Sequence, residues 1–357
     1  MLALATVCML PACDAPKSSS DTTASSLTLV EFEDATRAIE TYIAANRTRE
    51  AELIARKLLA SAAGDASAAS PDDPTLSSKT HSPYLRGANE YAARAYFARA
   101  ELAKSELSPA ARDALVREAA TCAAAASIAP ASVEAIRFAA MLADRIGNKR
   151  AAQDLYAQAL AVAPQDLATL LPAAMSALAC PDGTARAAEY AAQHAQLAPD
   201  AAWSEGLHAE IALERNEPAD ALVHAQAAIA RARDALEFRI ILAKALRANN
   251  RASDAARMLG ALSEPERSHP ALAQQFALAL RETGDLPAAA RAWAVAVAAN
   301  PDDAFARAET ALAFLRAGEL ARAAAERDAL KLLFGGAAEQ VRIESEWTAI
   351  SDPRTRQ

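Results

Sequence analysis

Glycine is scarce in this chain, ten residues in 357, and none of the ten falls in a glycine-rich loop of the kind that cradles phosphate. Aromatics make up 5% of the residues, and Val, Ile and Thr never gather with them into alternating runs bounded by turn residues, which argues against a sheet. Charge of one sign is missing as a patch: the net charge is −8 with basic residues interleaved among acidic ones, so nucleic acid is not an expected partner. Of the four cysteines, Cys8 and Cys13 stand near the N-terminus while Cys122 and Cys180 lie far apart. That spacing fits neither a zinc site nor a disulfide framework. No apolar run approaches the roughly 20 residues of a membrane-spanning helix. The signatures G-x-x-x-x-G-K-[ST], G-x-S-x-G and H-E-x-x-H are absent. Five histidines exist (His81, His194, His208, His224 and His269) without an i, i+4 pair or an evident carboxylate partner. The sequence therefore gives no reason to expect a metal, a cofactor or a catalytic residue.

What is present begins with an apolar leader, MLALATVCMLPAC, followed abruptly by Asp, Ser, Thr and Lys. The stretch Leu10-Pro11-Ala12-Cys13 resembles a bacterial lipoprotein signal, although no Lys or Arg precedes the apolar part and Pro11 departs from the usual pattern. The resemblance implies a signal peptide over residues 1–13, lipidation at Cys13, and attachment to a membrane of the cell envelope, facing the periplasm. Residues 14–29 are small and polar, too poor in apolar groups to offset their ordering entropy, and read as a tether. A similar segment, 64–83, reads as a flexible loop.

The rest repeats itself. A turn residue recurs at Gly147, Asp182, Asn216, Asn250, Gly284 and Gly318, in steps of 35, 34, 34, 34 and 34 residues. Five residues after each stands an alanine: Ala152, Ala187, Ala221, Ala255, Ala289 and Ala323. A second column, Ala140, Met175, Ala209, Ala243, Ala277 and Ala311, is mostly small and faces the first. Small residues on both faces let two helices approach to roughly 8 Å. Bulkier columns (Leu246, Leu280 and Phe314 in first helices; Tyr156, Leu259 and Trp293 in second ones) fill the space between units. Prolines end the second helix at Pro164, Pro199 and Pro301.

This 34-residue helix-turn-helix pattern resembles the tetratricopeptide repeat, best in the copy Ala273 to Pro301. The resemblance implies an all-α, right-handed solenoid of helical hairpins closed by a capping helix. Hairpin 1 is expected over 30–63, hairpin 2 over 84–131, six regular units over 132–337, and the cap and tail over 338–357. In the cap, Ile343, Trp347 and Ile350 share one face.

The resemblance also implies a concave wall built from the first helix of each unit, with candidate partner-binding residues Arg137, Trp203, Glu210, Lys244, Arg247, Arg281, Phe305 and Arg316. Apolar residues gather there near Phe305, Leu312 and Leu315. The chaperone-tail clamp of some family members is not matched, since Arg137 and Met141 stand at its Lys and Asn places. The expected function is that of a non-enzymatic, monomeric scaffold holding a protein or peptide partner. The alternative is a periplasmic binder of small ligands or cell-wall fragments.

Overall fold

The computed structural model describes residues 27–68, 83–103, 105–128, 131–335 and 338–351; Cys13, with the leader and most of the tether, lies outside them. Among the described residues there are eighteen helices and no strand. They pair in chain order: α1 (Leu29–Ala44) with α2 (Thr48–Ala68), α3 (Pro83–Leu102) with α4 (Pro109–Ala126), and α5 (Val133–Arg145) with α6 (Lys149–Val162). Next come α7 (Leu167–Leu178) with α8 (Thr184–Leu197), α9 (Ala202–Glu214) with α10 (Pro218–Arg231), and α11 (Leu236–Ala248) with α12 (Ala252–Gly260). A one-turn helix, α13 (Glu264–Arg267), precedes α14 (Pro270–Glu282) paired with α15 (Leu286–Ala299) and α16 (Ala304–Arg316) with α17 (Leu320–Phe334). The last helix is α18 (Ala338–Ser351). Helix takes both ends of the segment read as a loop: alanine-rich residues carry α2 on to Ala68, and Pro83 opens α3, where a missing N–H costs nothing. At the other end of the first hairpin, α1 starts at Leu29, capped by the Thr28 and Glu31 side chains.

All six recurring turn residues adopt left-handed backbone, from φ 58° at Asn216 and Asn250 to 88° at Gly284, and Asn46 in the first hairpin joins them. In five of these turns and at Asn46 the next N–H reaches back five residues, as in Asn148 N to Ala143 O at 2.9 Å and Glu217 N to Ala212 O at 2.8 Å. That is the bond that ends a helix and sends the chain back antiparallel. The exception is the turn at Asp182, which uses Gly183 instead: a Cβ there would stand 1.9 Å from the Ala177 carbonyl oxygen.

The alanine column of the second helices is buried throughout. In the facing column one assignment changes. Ala174 is fully buried, whereas Met175 is 36% exposed, so Ala174 is the close-packing residue of α7. The extra residue of the 35-residue step therefore sits in the turn after α7, and Met175 takes the register place that Met141 holds in α5, one of those expected on the concave wall. Each hairpin packs on its neighbours through a local cluster, such as Leu246, Leu259 and Leu272, or Trp293 with Ala277 and Phe314. The core is thus a string of interfaces, as expected of a solenoid.

The array curls far enough for its second hairpin to meet its last two. Arg112 of α4, buried, forms an ion pair with Asp302 in the α15–α16 connection. An open cavity of ≈ 300 Å³ in this contact is lined by Glu101, Arg145, Asp302 and Phe334 among others. Hydrogen bonding to Asp302 raises the Arg112 pKa. Reversing the charge in Arg112→Glu places two carboxylates together in a semi-buried contact. Small-angle scattering is expected to show a larger radius of gyration with unchanged helical circular dichroism; an unchanged radius would mean that the closure does not depend on this pair.

Candidate partner-binding wall

The first helices α5, α7, α9, α11 and α14 pack directly on one another in sequence. Their inward residues are joined across hairpins by polar rungs. Arg137 of α5 donates to Asp166, the N-cap of α7, at 2.7 Å, and Gln274 of α14 makes the equivalent bond to Asp303, the N-cap of α16, at 2.9 Å. Lys244 of α11 reaches back to Glu210 of α9 at 2.8 Å. Arg247 donates to Glu282 at 3.0 Å and to Gln275 at 2.9 Å, and Arg281 to Glu309 at 3.2 Å. Arg316 ends the series on Glu346 of α18 at 2.9 Å.

Each of the five basic residues selected from the sequence is therefore an inter-hairpin bond as well as part of the wall. Sequence reasoning missed their partners, Asp166, Glu282, Glu309 and Glu346. The signal was available: Arg247 to Gln275 and Arg281 to Glu309 are both 28 residues apart, somewhat less than one repeat.

The two aromatics are anchored by their neighbours. Trp203 sits edge-on to Phe238 with ring centroids 5.0 Å apart, and Phe305, 46% exposed, sits edge-on to the buried Trp293 at 6.0 Å. Arg342 of α18 lies over the Phe305 ring at 5.6 Å. The apolar end of the wall is not open as expected. Leu312 and Leu315 are buried, because α18 packs along α16 and seats Ile343 against Leu312.

Two open cavities mark the wall. One, ≈ 580 Å³, is lined by the charged Lys244, Arg247 and Glu282 and by Asn250, with Ala248 and Ala252 between them. The other, ≈ 550 Å³, lies between α3, α5 and α7, with Phe138, Met141, Tyr156, Ala168 and Pro172 as an apolar floor and Arg94, Glu134 and Arg137 at its rim.

The histidines corrected one expectation. His224 does have a carboxylate: its Nδ1 lies 2.7 Å from Glu205, which also pairs with Arg231 at 2.8 Å. His208 packs on the His224 ring at a centroid distance of 5.3 Å. Among the described residues no group of three or more His, Cys, Asp or Glu is arranged to hold a metal ion. His194 is buried, with Nδ1 3.0 Å from the Ser204 hydroxyl, which itself donates to the Ala198 carbonyl. Cys122 is buried, and its thiol is pushed up to about 11 by desolvation, which makes it a poor nucleophile.

Burial holds His194 below the usual histidine value of about 6.5, and it does the same for His208 with help from the neighbouring His224. The unfolded chain therefore takes up these protons first, and stability falls as the pH drops through about 6.5, with no loss above it. Glu205, lowered chiefly by its bond from His224, contributes only to losses at more acidic pH. Calorimetric melting temperatures are expected to fall between about pH 7 and about pH 5.5, and the fall is expected to flatten in the double variant His194→Gln, His208→Gln. Parallel curves for the two proteins would contradict this assignment.

No protein-family model and no curated protein matches the sequence. Solved structures do match in shape. A tetratricopeptide repeat protein from Parabacteroides merdae superposes with a TM-score of 0.57 at 12% identity, covering 79% of this chain and 98% of its own. A monomeric IFIT1 mutant with m7Gppp-AAAA superposes with a TM-score of 0.54 at 14% identity, covering 94% of this chain and 81% of its own. Likeness at this level of identity speaks for the fold alone, and with the hairpins, left-handed turns and alanine columns described above it leads to one conclusion: the chain has the all-α tetratricopeptide-repeat fold.

Proposed function

We propose that the protein is a non-enzymatic, monomeric scaffold of the bacterial cell envelope, anchored by lipid at Cys13 and holding a segment of a partner protein against its concave wall. One observation carries the reading. Lys244, Arg247 and Arg281 stand on neighbouring first helices, partly exposed, each held by a carboxylate of the next or preceding hairpin. Glu282 is the exposed carboxylate of the three, and a pair with an exposed member is worth little net free energy, so an acidic group of a partner can replace it on Arg247 at small cost. Glu210 and Glu309 are buried and stay in place, and there a partner's acidic group adds to the exposed side of Lys244 and Arg281. The array thus holds its cations positioned and partly exposed until a partner arrives. Trp203, Glu210, Phe305, Arg137 and Arg316 border the same surface and complete the proposed contact.

The envelope location rests on the leader ending in Leu10-Pro11-Ala12-Cys13, and the described helices fit it in that none is long and apolar enough to cross a membrane. The reading is tested with tagged full-length protein in a pull-down from detergent-solubilised envelopes, beside a variant with Lys244, Arg247, Arg281 and Arg316 all changed to Glu. A partner retained by the first and lost from the second is expected, with circular dichroism matched between them. Equal retention by a folded quadruple variant would place the contact elsewhere. In the same preparation Cys13→Ser is expected to move the protein from the membrane to the soluble fraction.

A further inference from the structure

The cavity between α3, α5 and α7 has a chemistry opposite to that of the wall near Lys244. Its floor is apolar, formed by Phe138, Met141 and Pro172. Its two guanidiniums are already engaged: Arg137 with Asp166 at 2.7 Å, and Arg94 with Glu90 at 2.6 Å and Glu40 at 3.9 Å. Glu134, at the rim, is exposed and has no ion pair or hydrogen bond among the described residues. Counting the groups that line or pair at this cavity, the carboxylates of Glu40, Glu90, Glu134 and Asp166 outnumber the guanidiniums of Arg94 and Arg137.

A second acceptor comes from the backbone. Pro172 lies inside α7 and has no N–H, so the carbonyl of Ala168, four residues earlier, lacks the donor that a regular helix would supply. Ala168 and Pro172 both line the cavity and Ala168 is exposed. An apolar trough with a free carboxylate at its rim and, beside it, a backbone carbonyl that Pro172 leaves without its helical donor suits a long side chain with an aliphatic stem and a cationic head.

We propose that this cavity receives a lysine or arginine side chain from the partner segment, with the stem on Phe138, Met141 and Pro172 and the charged head shared between Glu134 and the Ala168 carbonyl. The proposal rests on the concave wall being the docking surface and adds a direction to it: the partner's basic residue lies at α5–α7 and its acidic groups at α11–α14.

The test uses the full-length protein and two acetylated, amidated fluorescent peptides, Leu-Ala-Lys-Ala-Leu and Leu-Ala-Glu-Ala-Leu, followed by anisotropy and by the resonance of methyl-labelled Met141. The lysine peptide is expected to bind more tightly and to shift Met141. Glu134→Gln is expected to raise its Kd about fivefold, equivalent to about 1 kcal/mol. Pro172→Ala, which restores the helix N–H, is expected to weaken binding while raising the melting temperature, an outcome that unfolding cannot imitate. The proposal is overturned if the wild-type protein holds neither peptide, if the glutamate peptide binds equally well, or if both variants keep wild-type affinity. Envelope pull-downs with the same two variants separate the levels: a partner retained by the wild-type protein and unaffected by either change leaves the wall as docking surface and removes only this pocket.

Discussion

The whole molecule depends on how closely two helices can approach. Alanine faces alanine within nearly every hairpin, and the left-handed residue between the helices turns the chain in a single step. Neither feature suffices alone. A bulky residue in either column would pry the pair open, and without the bond from the residue after the turn the last helical carbonyls would lack partners. Hairpins built this way are thin and apolar on two sides, and they bury that surface only by stacking. Stacking places the first helices side by side, and the wall on which the functional proposals rest follows from it.

The electrostatics of that wall are a product of the same repetition. A basic residue late in one first helix faces an acidic or amide residue of the next hairpin, so Arg247 meets Gln275 and Arg281 meets Glu309 at the same spacing. These rungs tie hairpin to hairpin and fix the side chains that a ligand would meet. Where a residue breaks the pattern, local chemistry changes. Pro172 opens the hydrogen-bond ladder of α7, and with one more residue in the turn after α7 the buried place falls to Ala174 and Met175 is left 36% exposed. Both departures fall at one end of the wall, next to the cavity with an unpaired carboxylate.

The fold was legible because its constraints are local and repeated. Small residues and turn residues recur at fixed distance, and no long-range pairing had to be guessed. The same regularity misled at the fourth hairpin, where counting back from Asp182 assigned close packing to Met175 although Ala174 performs it; an extra residue in a turn cannot be located from periodicity alone. The wall's candidate residues were readable as positions but not as members of ion pairs. Lys244, Arg247, Arg281 and Arg316 look like free cations along the sequence, and only the stacking shows each held by a carboxylate. The burial of Leu312 under α18 was hidden for a similar reason, since a cap covers whatever face it happens to meet. The Arg112 to Asp302 contact joins residues 190 apart, which nothing in a 34-residue period specifies.

The account's central claim is that the concave wall, and not the outer surface, holds the partner. The most direct measurement is site-specific photo-crosslinking in intact envelopes, with a benzophenone side chain placed at Met175 or Leu278 on the wall and at Val223 on the exposed outer face of α10. The account predicts one polypeptide crosslinked from both wall positions and none from Val223. Crosslinks from Val223 with a silent wall would contradict it.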